Sequence, residues 1–383
     1  MFPLIELSGS AYERGHQHGV AATALVRRSI ASYSRLFAYC GISWADAQQM
    51  GSAYRELIGD FDPELLREIE GIAHGSDRQI NEILALNART ELLPPSYPGE
   101  PHPDRSKVLA VNGQENMPDW GECTSLAVKP LQSETGTTLL AQNWDWLGSQ
   151  RSALVLLRVH REAGASYLTL TEAGMLAKIG LNSHGFGVCL NILRSTDDGA
   201  HPGLPVHVLL RKLLECQSVD EAVSLAARQT FGASSSVMCA DAAGQTAALE
   251  FSPRGLEVMQ NAQAVLCHTN HFLAPTASKH QASLAPSLST VPRLERATVL
   301  IDSAQGTFSV AELQRMLRDE ADGYLSICRR PDPELDVDAR IETVASVIMD
   351  LGPRVMHVAP DVPSLVEYQA VGLTPTVQAV PEG

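Results

Sequence analysis

The chain has 383 residues, 44% of them hydrophobic, enough for one large domain or two ordinary ones with a sizeable core. Its formal charge of −15 argues against a nucleic-acid or anionic-membrane surface, both of which need clustered Lys and Arg. No apolar run approaches the roughly 18 residues that span a bilayer, and Met1 to Leu7 lacks the basic and long apolar stretches of a secretory signal.

In chain order, Gly9, Gly15 and Gly19 are spaced for a tight turn and close helix packing, and the helix is expected to run on through Ala21 to Tyr39. Asp62-Pro63 opens the clearest helix, with Asp as N-cap and Pro at the first position. Leu65, Leu66, Ile69 and Ile72 are its apolar stripe and Gly75 its end. Ser76 and Gln79 read as a capping box for a second helix, with Ile80, Ile83, Leu84 and Asn87 on its inner face. Residues 94–119, with Pro94, Pro95, Pro98, Pro101 and Pro103 among charged and polar residues, read as a surface loop. From there the texture turns β-rich, with strands expected at 124–130, 137–142, 153–160, 166–172, 176–182 and 186–192. Helices at 205–217 and 219–229 follow, then strands at 235–240, 246–251, 255–260 and 264–268. A loop over 274–292, helices near 293–302 and 309–319, and strands at 342–349 and 354–358 complete the chain. The order predicts an α+β protein of stacked antiparallel sheets covered by helices.

Seven cysteines, at 40, 123, 189, 216, 239, 267 and 328, form neither a disulfide framework nor a zinc knuckle, because the number is odd and no two are three apart. A reducing cytoplasm fits best. Phosphate-binding and dinucleotide loops are absent, and Gly180-Leu181-Asn182-Ser183-His184-Gly185 is one residue off a nucleophile elbow, so no cofactor is called for. His16 with His18 and His268 with His271 invite a metal, but the first pair has no accompanying carboxylate cluster and the second, after the strand-like run Ala264 to Cys267, would face opposite sides, so no metal is expected. Asn270, at a strand end, reads better as an amide donor to a developing oxyanion.

Cys123 has two readings. As one of several free cysteines it is a small buried hydrophobe. Alternatively, it follows a Gly121-Glu122 pair that can loop out, and a strand-like run to Val128 would hold it rigidly. A second run ending in Asn143-Trp144-Asp145-Trp146 would bring Asp145 back near it. In that reading the Glu122–Cys123 bond breaks and Cys123 becomes an N-terminus carrying both thiol and amine.

Ordered motifs run nearly end to end. They include Gly15-His16-Gln17-His18-Gly19, Glu68-Ile69-Glu70-Gly71-Ile72-Ala73-His74-Gly75, Leu86-Asn87-Ala88-Arg89-Thr90-Glu91 and Cys123-Thr124-Ser125. Gln142-Asn143-Trp144-Asp145, Thr171-Glu172-Ala173-Gly174, Gly180-Leu181-Asn182-Ser183, Glu250-Phe251-Ser252-Pro253, His268-Thr269-Asn270-His271 and Ser326-Ile327-Cys328-Arg329 follow. Together they resemble the isopenicillin-N acyltransferase (penicillin acyltransferase) family of autoproteolytic N-terminal-nucleophile cysteine hydrolases. The resemblance implies a four-layer αββα sandwich and self-cleavage between Glu122 and Cys123, giving associated pieces 1–122 and 123–383. It implies Cys123 as nucleophile, Asp145 beside the new amine, Asn270 in the oxyanion hole, and Arg340 as the catalytic-site arginine; in the mechanism this suggests, a backbone N–H, that of Leu190, is expected to share the oxyanion with Asn270. Ser252 falls on a family serine with a structural or processing role. The chain departs from the family pattern in the long proline-rich segment before Cys123, in Glu122 where Gly is frequent, and in Ala339 where the fungal enzyme has Ser. The implied substrate is a small amide or thioester, with no nucleic acid or membrane partner; assembly into homo-oligomers is left open. Rival readings are acyl transfer from a coenzyme A thioester to an amine, and an unprocessed protein that only binds small amides.

Overall fold

A computed structural model describes residues 1–94, 123–260, 264–282, 289–304, 306–334 and 340–374. A short strand, β1 (Leu4–Leu7), precedes seven helices: α1 (Ala11–Ala21), α2 (Thr23–Tyr39), α3 (Trp44–Ser52), α4 (Tyr54–Phe61), α5 (Pro63–Gly75), α6 (Ile80–Asn87) and α7 (Arg89–Leu92). Then come β2 (Cys123–Val128), β3 (Leu139–Leu147), β4 (Leu154–Val159), β5 (Tyr167–Glu172), β6 (Ile179–Asn182) and β7 (Gly187–Ile192). Helices α8 (Val206–Leu213) and α9 (Val219–Ala226) lead to β8 (Ser235–Ala240), β9 (Thr246–Ser252), β10 (Gly255–Met259) and β11 (Val265–His268). The described chain closes with α10 (Thr290–Ser303), α11 (Val310–Leu317), β12 (Ile341–Asp350), β13 (Val355–Ala359) and β14 (Gln369–Gly372).

The strands form an eight-stranded sheet, β1-β4-β5-β6-β7-β8-β9-β10, and a six-stranded sheet, β11-β2-β3-β12-β13-β14. Alternation along β2 shows why they stack. Cys123 and Ala127 face the first sheet and share a core with Leu140, Trp144, Val188, Leu190 and Val237. Leu126 and Val128 face the other way, into a second core with Leu139, Ala141, Ile348, Leu300, Leu313 and Leu317 from α10 and α11. Helix α9 packs on β8 and β9, covering the first sheet from outside. The result is the expected αββα order. Strands buried on both faces lose the polar alternation of a half-exposed strand, which is why β4 reads Leu-Val-Leu-Leu-Arg-Val.

The N-terminal helices are held by backbone contact. A Cβ on Gly15 would lie 2.0 Å from the Glu68 carbonyl oxygen, and one on Gly71 2.2 Å from that of Tyr12. Gly19 and Gly75 meet Ile72 and His16 in the same way, at 2.4 and 2.2 Å. Only glycine permits α1 and α5 to approach so closely. Arg14 (3.1 Å) and Arg211 (3.3 Å) then close on the buried Glu68. Gly71→Ala should force the helices apart and cost about 1–3 kcal/mol. Thermal melting checks this; an unchanged midpoint would contradict the close approach.

Several sequence expectations shift. The helix expected to run on to Tyr39 breaks at Ala22, and Thr23 starts a new one. Gln79, not Ser76, caps α6, with Glu82 as its partner; Ser76 instead closes α5, donating to the Ile72 carbonyl at 2.7 Å. Strand β6 begins only at Ile179, because Gly174 turns the chain at φ +95° and Asn87 clamps the turn. The 274–292 segment contains a short 3₁₀ turn, Ala277–His280, and Thr290 already belongs to α10. Strands β1 and β14 and helices α3 and α4 went unpredicted. Most of the proline-rich segment, with Glu122 and Ala339, lies outside the described residues.

Candidate active site

Cys123 is the first residue of a central strand. It lies across from Trp144, and Thr124 lies across from Asn143. The residue is held on both sides of its backbone. Its N–H donates to Asn270 Oδ1 at 2.5 Å. Its carbonyl accepts from Asn191 Nδ2 at 3.0 Å and Arg293 Nη1 at 2.8 Å. Asn191 is fixed in turn by the Ser125 hydroxyl, 2.6 Å from its Oδ1. Arg293 also donates to Thr124 Oγ1 (2.9 Å), Asn270 Oδ1 (3.0 Å) and Ser289 Oγ (2.8 Å).

Asn270 sits on a stiffened loop. Its backbone N–H donates to Thr290 Oγ1 (2.7 Å) and its Nδ2 to the Ile192 carbonyl (3.0 Å). The buried Glu250 organises this loop, lying 2.8 Å from His268 Nε2 and accepting from the amides of Leu273 and Ala274. Burial pushes the Glu250 carboxyl up, but His268 and these amides outweigh it and leave it below the usual range. His271 turns away to Thr290 Oγ1 (2.8 Å), so each histidine of the pair has its own structural partner. His18 accepts from the Gly174 amide (3.2 Å), and burial lowers it to about 4. Among the described residues no three His, Cys, Asp or Glu side chains are grouped to hold a metal.

Asp145 pairs with Thr343 across β3 and β12, next to a bulge at Thr343–Ala345, and accepts from the Thr343 hydroxyl at 2.6 Å. Such bulges re-aim side chains beside active sites. Cys123 is buried, and burial raises its thiol to about 11. The Asp145 carboxylate raises it further, while Lys178, the Asp145 backbone amide and Arg293 pull it down. The nucleophile position, the carboxylate and the asparagine expected from the sequence therefore converge.

Two other expected residues, Leu190 and Arg340, have different partners, and Ser252 sits in a structural turn. The Leu190 N–H, expected in the oxyanion hole, instead donates to Gln142 Oε1 at 3.0 Å, because β3 and β7 face each other across the core and Gln142 reaches over. Arg340 immediately precedes β12, and its side chain donates to the Pro333 carbonyl at 3.1 Å. The guanidinium bound to Cys123 is that of Arg293. Ser252 accepts from the Arg254 amide (3.2 Å) and shapes the β9–β10 turn.

Sequence reasoning missed Arg293, Asn191 and Lys178. Lys178 is the lone cation in the apolar run Met175 to Leu181, which is a legible signal. It is 2% exposed, with Nζ 3.6 Å from Glu172 Oε1. Glu172 also receives Arg89 (3.3 Å) and the Tyr33 hydroxyl (2.8 Å). Burial alone would raise the Glu172 carboxyl; Lys178 and Arg89 overcome it and hold it low.

The family model for acyl-coenzyme A:6-aminopenicillanic acid acyl-transferase matches residues 132–364. The acyl-coenzyme A:6-aminopenicillanic-acid-acyltransferase 40 kDa form of Emericella nidulans is 29% identical over 331 residues, covering 85% of this chain and 84% of that protein. Among solved structures, a variant of the conjugated bile acid hydrolase of Clostridium perfringens is similar at TM-score 0.47 and 13% identity, over 65% of this chain and 92% of that one. Penicillin V acylase of Agrobacterium tumefaciens is similar at TM-score 0.43 and 14% identity, over 62% and 82%. With its family model matched over more than half its length, the chain belongs to the acyl-coenzyme A:6-aminopenicillanic acid acyl-transferase family of enzymes.

Proposed function

We propose that the chain is a self-processing cysteine amidohydrolase that cleaves a small linear amide, an N-acyl amine or amino-acid amide, through an acyl-Cys123 intermediate. The observation that supports this most is the double clamp on Cys123. Its nitrogen is bound to Asn270 and its carbonyl to Asn191 and Arg293, so a new N-terminus made there would stay in place. Cleavage of the Glu122–Cys123 bond would leave piece 1–122 associated with piece 123–383, since residues of both, such as Val26, Ile69, Leu156 and Val188, share one core.

The freed amine, with an ordinary pKa of about 7.7–8.0, takes the thiol proton near neutral pH. The thiolate attacks the substrate carbonyl. The Asn270 amide nitrogen, which carries two N–H groups, supplies oxyanion stabilisation. Asp145 and Arg293 keep the amine and Asn270 aligned. Water then releases the acyl group. A reducing cytoplasm suits a chain whose seven cysteines form no disulfide; no described helix is long and apolar enough to cross a membrane.

A second reading has family support: the acyl group passes from a coenzyme A thioester to an amine, as the names of the matched family and relative describe for those proteins. Incubation with a panel of N-acyl amides, with and without excess amine, tests both. Hydrolysis gives free acid in both arms; transfer gives a new amide only when amine is present. Asn270→Ala should lower kcat by about 10²–10³. A wild-type protein inert to every acyl donor, with Cys123 unacylated by mass spectrometry, would sink both readings.

A further inference from the structure

Lys178 has more positive charge around it than its nearest carboxylate can balance. Glu172 already serves Arg89 and the Tyr33 hydroxyl, and Lys178 is a second cation on the same oxygen. The Lys178 ammonium also lies on the Trp144 indole, 3.6 Å from the ring centre, and 5.6 Å from that of Trp146. Trp144 is the cross-strand partner of Cys123. The Lys178 ammonium therefore sits on the ring of the residue paired with Cys123. The loop carrying Lys178 is rigid: Asn87 binds both the Gly174 carbonyl and the Leu176 amide at 2.9 Å, and the Lys178 amide donates to Thr169 Oγ1 at 3.3 Å.

The charges facing this spot come from every packed element. Glu172 lies on β5, Arg89 on α7, Asp145 on β3, Arg293 on α10 and Cys123 on β2, while His207 on α8 is held neutral, mainly by burial and then by Arg89 and Lys178. Two carboxylates and two guanidiniums cancel. A neutral lysine with a thiol, or an ammonium with a thiolate, then leaves the set neutral either way; an ammonium with a thiol does not.

We propose that Lys178 is the charge partner of Cys123 in the uncut chain, gaining a proton as the thiol loses one. This rests on the self-processing reading, because before cleavage the nitrogen of Cys123 is an amide and cannot act as a base. The S–H proton goes to Lys178 Nζ through a bridging water, since the two side chains make no direct hydrogen bond. The sulfur pair forms a bond to the Glu122 carbonyl carbon. The bond from that carbon to the Cys123 nitrogen breaks, and the nitrogen takes the proton back from Lys178. Water then splits the thioester into the Glu122 carboxylate and the thiol. Burial, partly opposed by Glu172, lowers Lys178 to about 7, so it is available to accept a proton just above neutrality.

The test uses the full chain, pulse-labelled in a cell-free extract and shifted to buffers from pH 5.5 to 9.5. Cleavage is followed on denaturing gels, and Cys123 alkylation by iodoacetamide is followed by mass spectrometry. Wild type should accelerate with a midpoint near pH 7 and then level off. Lys178→Met should be roughly 10²-fold slower at pH 7.5 and should rise steadily with pH without that midpoint. Lys178→Arg, which keeps the charge and supports folding, should also lose the midpoint. A folded variant, checked by thermal melting, that keeps the wild-type midpoint in both cleavage and alkylation overturns the pairing. If wild type never cleaves, self-processing fails, and the alkylation profiles of the whole chains still decide the pairing.

Discussion

Replacing Cys123 with Ala should leave one intact 41.2 kDa chain on a denaturing gel and abolish turnover, by on the order of 10⁴-fold or more. The sulfur is the attacking atom in both stages, so a single substitution removes both. The fold should survive, because the loss is one buried sulfur atom at a strand end whose backbone bonds to Asn270, Asn191 and Arg293 do not involve the side chain. Thermal melting should therefore stay near wild type. Cys123→Ser would separate the stages: a hydroxyl with the same geometry but a far higher pKa should cut slowly and turn over more slowly still. An Ala variant that still splits at this bond would move the nucleophile elsewhere.

Replacing Arg293 with Met should have the second-largest effect. The guanidinium is fully buried and binds the Cys123 carbonyl, Thr124 Oγ1, Asn270 Oδ1 and Ser289 Oγ. A Met of similar length fills the volume but takes a charged donor from each of four buried acceptors, although the Cys123 carbonyl keeps Asn191 and Asn270 Oδ1 keeps the Cys123 N–H. At about 1–3 kcal/mol for each lost charged hydrogen bond, with partial relaxation, the cost is about 3–5 kcal/mol. Self-cleavage should slow by about 10² or more even well below the melting temperature, because Asn270 and the Cys123 carbonyl lose the group that fixes their separation. Arg293→Lys keeps the charge but not the fork, and should recover part of the stability with little of the rate. A Met variant that cuts at the wild-type rate would reduce Arg293 to a packing residue.

What the sequence made legible follows from how each residue is flanked. Cys123, Asp145 and Asn270 sit at the ends of strand-like runs, where polar residues interrupt apolar ones and invite a functional reading. The two-sided burial of individual strands was less visible, since a continuous apolar run such as β4 does not show which faces are covered. Arg293 was hidden because it falls where the expected 274–292 loop meets the expected helix near 293–302, and only the tertiary fold turns that residue inward. Arg340 drew attention through the pattern of the strand it precedes, yet its side chain reaches the Pro333 carbonyl. Leu190 faces the right core, but Gln142, two positions before Trp144 on β3, takes its N–H. Pairings of that kind depend on register between distant strands, which local sequence does not encode. The motif Leu86 to Glu91 became intelligible only in three dimensions. Asn87 and Arg89 brace the turn and the carboxylate beside Lys178, and Glu91 accepts from the Val206 amide at 2.9 Å.

Intact-mass measurement with N-terminal sequencing of the purified wild-type protein bears most directly on whether Cys123 becomes a free N-terminus. Two polypeptides are expected, the larger beginning Cys-Thr-Ser and ending at Gly383. A single 41.2 kDa chain with full activity would contradict it.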